Sequence, residues 1–167
     1  LARAVTGRNK VVFFGGAYHG QFDEVLAKGL GKRAKGPGAA PVAPGIPREA
    51  VSNMVGLSYD SPESLAWVKA NVDDIAAVLV ETVQSRHPAL VPIDFIRDLR
   101  SITAASGAAL IFDEVVTGFR VHPGGMQAVL GIKADMATYG KVVGGGMPIG
   151  VLAGTARFMD ALDGGYW

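Results

Sequence analysis

The chain has 167 residues, 49% apolar and 19% charged, which suits one ordinary folded domain or a piece of a larger protein and excludes a disordered chain. Sixteen basic against fifteen acidic residues leave a net charge of +1, and the single basic tract at 28–35 is too small for a nucleic-acid footprint. The absence of cysteine excludes disulfides, zinc–thiolate sites and thiol nucleophiles, and no apolar run approaches the roughly 20 residues needed to cross a bilayer.

In chain order, residues 1–5 read as the last turns of a helix closed by Gly7. With no initiator Met and an end at Gly164-Gly165-Tyr166-Trp167, the chain is expected to be a fragment cut from a longer protein. Residues 11–14 are the first expected strand. Residues 29–47, rich in Gly and Pro and poor in large apolar side chains, are expected to form a long exposed loop. Ser61-Pro62-Glu63 supplies an N-cap, a proline at the first helical position and an early acid, ahead of Leu65, Val68 and Val72 at helical spacing. A second strand is expected at 75–80. A helix follows over 94–106, with Phe95, Ile96, Leu99, Ile102 and Thr103 on one stripe and Gly107 as its stop. Further strands are expected at 108–112, 136–139 and 149–153. These runs lack clean alternation, as strands covered on both faces do, and their alternation with helices predicts an α/β fold with a mostly parallel sheet and helices on both faces. Glycine, 23 residues in all, clusters beside these runs, so its placement looks positional.

Ligands in such folds gather at the carboxyl ends of the parallel strands. Four consecutive strand ends here carry ionisable or aromatic groups: Tyr18 and His19; Glu81; Asp113-Glu114; and Lys141. Asp113 follows Ala-Ala-Leu-Ile-Phe, and a carboxylate at an apolar rim is costly unless a cation or proton donor meets it. Lys141, set before three glycines, is a candidate desolvated amine nucleophile. Three chemistries compete. An apolar run ending in Asp-Glu also suits a P-loop ATPase, but the nearest upstream loop, Gly31-Lys32, has Leu26 in place of the first glycine and Arg33 in place of Ser or Thr. Gly144-Gly145-Gly146 as a dinucleotide loop lacks the G-x-G-x-x-G spacing. A carboxylate under a pyridinium and a lysine on an aldehyde would be pyridoxal phosphate chemistry.

Asp113-Glu114-Val115 with Thr117-Gly118-Phe119-Arg120, followed by Tyr139-Gly140-Lys141-Val142-Val143-Gly144-Gly145-Gly146-Met147-Pro148-Ile149-Gly150, resembles the cofactor segment of class III aminotransferases. The 28-residue separation of Asp113 and Lys141 is similar to that family's, and Gly16-Ala17-Tyr18-His19-Gly20 resembles its aromatic segment. The resemblance runs almost end to end. Within the family the chain looks like glutamate-1-semialdehyde aminomutases and like aminotransferase domains embedded in hybrid polyketide synthase/nonribosomal peptide synthetases of the microcystin and nodularin type. Val83-Gln84-Ser85-Arg86-His87-Pro88, His122-Pro123-Gly124-Gly125 and residues 160–165 favour the second group, and Thr82 stands where most relatives have proline.

The resemblance implies the large domain of a fold-type I enzyme, truncated at both ends, that uses pyridoxal 5'-phosphate and no metal. It implies that Lys141 bonds the cofactor aldehyde and then shuttles a proton, and that Asp113 keeps the pyridine nitrogen protonated. Tyr18 would stack on one ring face and Val115 on the other, with Glu81 a supporting or substrate-side carboxylate and His19 a neighbour of the ring pocket. Val116 replaces the Gln that many relatives set beside the phenolic oxygen, so no hydrogen bond is expected from that position. The phosphate cradle is expected before residue 1 and, from a partner subunit, after residue 167. The expected reaction moves an amino group from a donor such as glutamate onto a β-keto acyl chain held on a carrier protein, in a cytoplasmic homodimer. The alternative is a free-standing glutamate-1-semialdehyde aminomutase.

Overall fold

A computed structural model of the chain describes residues 1–30 and 36–163. Most of the basic tract 28–35, the Gly31-Lys32 pair and the last two residues of the 160–165 segment lie outside the described residues. Helix α1 (Ala2–Thr6) ends where Gly7 turns left-handed at φ 68°, and strand β1 (Lys10–Phe14) follows. Next come β2 (Ala27–Gly29), β3 (Ala39–Pro41) and β4 (Met54–Leu57). Helix α2 (Pro62–Ala70) starts as expected, with the Ser61 hydroxyl accepting the Ser64 N–H. Strand β5 (Ile75–Val80), helix α3 (Ile93–Ser106), β6 (Ala109–Asp113), α4 (Gly125–Leu130), β7 (Met136–Tyr139), β8 (Val151–Gly154) and α5 (Ala156–Met159) complete the order.

Six strands form one sheet in the order β4-β1-β5-β6-β7-β8, all parallel except β8, which runs antiparallel to β7. Helices cover both faces. On one, Val68 of α2, Phe95, Ile96 and Leu99 of α3, and Met126 and Leu130 of α4 pack on Val12, Phe14, Val78, Val80, Leu110 and Phe112. On the other, Ala2 of α1 and Phe158 of α5 meet Ala76, Ala77, Ala109 and Met136. Phe14, Tyr59 and Phe95 pack edge to face at 5.2–5.9 Å between centroids, tying β1 to α3.

Three differences from the sequence expectations have physical causes. The stretch 29–47 is not loop throughout, because Ala39–Pro41 pairs antiparallel with Ala27–Gly29 and the hairpin covers Phe13, Val51 and Met54. Strand β4 was hidden by its brevity and by Gly56, which interrupts its apolar run. Strand β8, expected to be covered, is exposed along its whole length because it is an edge bonded only to β7. Among the described residues, no helix is long and apolar enough to cross a membrane.

Candidate active site

The carboxyl ends of β4, β1, β5, β6 and β7 share one sheet edge because these strands are parallel. After β1 the chain turns at Gly15-Gly16, and Gln84, beyond the end of β5, reaches across to hold that turn. Its buried side chain donates Nε2–H to the Gly15 carbonyl at 2.9 Å. Gly16 has φ +89°, and a Cβ there would lie 2.7 Å from Gln84 Oε1, so the clamp needs glycine. The turn delivers Tyr18, which is 47% exposed, and His19, whose side chain is buried.

His19 meets Asp113 at the end of β6, with Nδ1 2.7 Å from Oδ2. The other Asp113 oxygen accepts the Val115 N–H at 3.1 Å. Only 8% of Asp113 is exposed, so these two donors supply the compensation that its position demands. His19 Nε2 is buried and has no hydrogen-bond partner among the described residues.

Register sets Lys141 beside this pair. Asp113 lies opposite Thr138 of β7, and Tyr139 and Gly140 then carry the chain to Lys141 on the neighbouring strand end. Lys141 has φ 47° and opens a single 3-10 turn, Lys141–Gly144. Lys141, a candidate desolvated amine from its sequence, is exposed here. Among the described residues it makes no ion pair with Asp113, whose partners are His19 and Val115. Val115 Cγ1 stands 3.3 Å from where a Cβ on Gly140 would be.

Glu81, just past β5, is 5% exposed; it accepts the Ser85 hydroxyl at a long 3.4 Å and also bonds the Ser85 N–H, while its Oε2 has no partner among the described residues. Burial pushes its pKa above the ordinary glutamate value; His19 opposes the rise, the Asp113 charge adds to it, and Ser85 opposes it. Tyr59 donates its hydroxyl between the Glu81 and Thr82 carbonyls, at 3.0 Å from each, and burial, then Asp60 and Glu81, raise its own pKa.

Two residues had no role in the sequence reading. Gln84 clamps the Gly15-Gly16 turn, and no spacing rule marks it. Glu114, fully buried, accepts the Thr117 hydroxyl and the N–H groups of Met126 and Gln127, at 3.0 and 3.1 Å, at the start of α4. The signal for it was a Gly124-Gly125 pair ahead of an apolar run, with a carboxylate upstream that needed donors. Among the described residues, no set of three His, Asp or Glu side chains is arranged to hold a metal ion.

The mostly parallel sheet with helices on both faces is the α/β architecture of fold-type I transaminases. The family profile for aminotransferase class-III matches residues 1–166, and the chain belongs to that family of pyridoxal phosphate enzymes. It is 43% identical over 163 residues to the glutamate-1-semialdehyde 2,1-aminomutase of Methanococcus maripaludis strain C5, covering 96% of this chain and 38% of that protein. Among solved structures it resembles a transaminase with PLP bound at 37% identity and a TM-score of 0.84, covering 99% of this chain and 38% of the other. It also resembles an omega-transaminase from Sphaerobacter thermophilus at 36% identity and a TM-score of 0.85, covering 95% and 37%. The chain thus spans well under half the length of the relatives it matches. Family membership displaces the P-loop ATPase and nucleotide-loop alternatives, and Glu114 is already engaged in capping α4.

Proposed function

We propose that this chain forms the reactive part of a pyridoxal phosphate-dependent aminotransferase. The observation that carries this is the buried Asp113 carboxylate, fixed by His19 and the Val115 N–H, with a free lysine amine at the adjacent strand end. The donor set fits the cofactor. Asp113 uses one acceptor site on each oxygen, and an ionised carboxylate has capacity left for a ring N–H. When bound, the cofactor supplies an electron sink for the carbanion formed at the substrate Cα. Asp113 would face the pyridine nitrogen, and His19 holds its carboxylate in place through the 2.7 Å bond. Lys141 Nζ would bond the cofactor aldehyde, and its amine would move a proton at the substrate Cα. Tyr18 and Val115 are the candidate walls on the two ring faces, and Glu81 is near enough that His19 and Asp113 act on its charge.

For the substrate we propose a β-keto acyl chain held on a carrier protein, aminated at the expense of an amino acid such as glutamate. The resemblance of residues 83–88 and 160–165 to assembly-line domains supports this. A specific observation favours a second reading, amino transfer within glutamate-1-semialdehyde: the aminomutase of M. maripaludis is 43% identical over nearly the whole chain. Assaying the parent protein with glutamate plus a carrier-bound β-keto thioester, and separately with glutamate-1-semialdehyde, distinguishes them. Amination of the thioester supports the first reading, and 5-aminolevulinate formation without it supports the second. If the cofactor-loaded protein exchanges an amino group with no donor, the transferase reading itself fails.

A further inference from the structure

We propose that Tyr139 is a positioning residue: its ring, gripped by the segment that follows Asp113, fixes the backbone on which Lys141 stands. Tyr139 closes β7, two residues ahead of Lys141. The Glu114 N–H donates to the Thr138 carbonyl at 2.9 Å, so the chain leaving β6 stays tied to the chain leaving β7. Two residues of that chain, and one of α4 beyond it, then close on the Tyr139 ring. The Phe119 ring meets it edge to face, 5.6 Å between centroids. Gly118 lies so near that a Cβ there would stand 2.5 Å from Tyr139 Cδ1. Gln127 donates Nε2–H to the phenol oxygen at 3.2 Å. Gln127 is itself held, its N–H donating to Glu114 Oε1 at 3.1 Å and its Oε1 accepting the Ala134 N–H at 2.9 Å.

Core packing alone does not hold the ring. Tyr139 is half-buried on the rim of an open cavity of about 430 Å³, lined also by Ala128, Ala153 and Thr155, into which an ungripped ring has room to swing. Backbone strain marks the same place. Among the described residues, Asp60, Phe119 and Lys141 are the non-glycine residues with positive φ, and the last two, at 61° and 47°, adjoin this ring in space or in sequence. Bulky residues keep that conformation only where their surroundings enforce it. Tyr139 and Gly140 lead into Lys141, and the contacts of Phe119 and Gly118 with the first and of Val115 with the second put both under the control of the segment after Asp113. Burial, and then the Glu114 charge, raises the phenol's pKa, while the Gln127 bond opposes the rise, so the hydroxyl stays neutral and acts through shape and one hydrogen bond. One clamp thereby sets Lys141 against Asp113. That role rests on the pyridoxal phosphate reading, whereas the hold on the Lys141 turn does not.

The experiment uses the full-length parent protein with Tyr139→Leu, which keeps apolar bulk but has no ring, and Gly118→Ala, which pushes the ring without altering it. Val68→Ala, buried in α2, is the comparator for lost stability. In cofactor-free protein, hydrogen exchange read by mass spectrometry follows the turn that the Val143 N–H closes on the Gly140 carbonyl. Both clamp variants are expected to lose amide protection there, and Val68→Ala is expected to keep it. With pyridoxal 5'-phosphate bound, the pH midpoint of the visible absorbance band should move by about one pH unit in both clamp variants and stay in place in Val68→Ala. Unchanged exchange at the turn overturns the proposal, and lost protection with an unmoved midpoint overturns the positioning role. Should Tyr139→Leu not fold, Gly118→Ala decides alone. A wild type that takes up no cofactor would instead sink the aminotransferase reading, leaving the exchange result to decide the hold of Tyr139 on the turn.

Discussion

Replacing Gly125 with alanine perturbs the Glu114 cap directly, and its cost can be worked from the structure. Gly125 has φ +64°, and a Cβ there would stand 2.5 Å from Glu114 Oε1 and 2.7 Å from its Cδ and Oε2. Left-handed backbone alone costs an alanine about 1 kcal/mol. Pushing the buried carboxylate aside weakens its bonds to the Met126 and Gln127 N–H groups and to Thr117, each worth about 1.5–3 kcal/mol with a charged acceptor. Partial loss of this set brings the expected destabilisation to about 3–5 kcal/mol, a large share of the 5–15 kcal/mol typical of a domain. Gly131→Ala is the internal control: its φ is +66°, but nothing lies within 4 Å of the added Cβ, so only the backbone term of about 1 kcal/mol applies. Urea unfolding of the parent protein, followed by far-UV circular dichroism, compares the two. Equal losses in both variants would refute the cap as the reason for glycine at 125.

Gln84→Ala removes the bond to the Gly15 carbonyl and is expected to cost about 1–3 kcal/mol in urea unfolding and to speed cofactor release by freeing Tyr18 and His19; an unchanged release rate contradicts the clamp. Because the folded-state pKa of Glu81 is raised, the folded protein binds the extra proton, so wild-type stability relative to Glu81→Gln should fall as pH rises upward from 4.5. A difference that is flat or rising with pH, measured by denaturant titration across that window, would contradict a raised Glu81 pKa. The parent protein is expected to sediment as a dimer that uses this region, where β8, Phe119, Met147 and Ile149 are exposed, and Met147→Lys should shift the equilibrium toward monomer in analytical ultracentrifugation.

Much of the fold was legible because it is written in local chemistry. Ser61-Pro62 starts α2, the stripe from Phe95 to Thr103 with Gly107 bounds α3, and the β-rich runs that became β1, β5, β6 and β7 were long enough to see. The hairpin β2–β3 and strand β4 were not legible, since β2 and β3 have only three residues each and Gly56 interrupts the apolar run of β4. The exposure of β8 was equally hidden, because a strand's neighbours decide whether its apolar residues are covered. Strand-end logic singled out Asp113, Lys141, Glu81 and the Tyr18-His19 pair, which the fold sets along one sheet edge. It could not find the 2.7 Å His19–Asp113 bond, which joins residues 94 positions apart, nor the Gln84 clamp across 69. The left-handed backbone of Lys141, at φ 47°, was equally unannounced by the sequence.

The most direct test of the aminotransferase account is chemical. The full-length protein, loaded with pyridoxal 5'-phosphate, is reduced with borohydride, digested and mapped by mass spectrometry. The account predicts a single pyridoxyl label on Lys141 and none in Lys141→Ala. A label on Lys133, on Lys10 or on any other lysine, or no label on a protein that retains the cofactor, would contradict it.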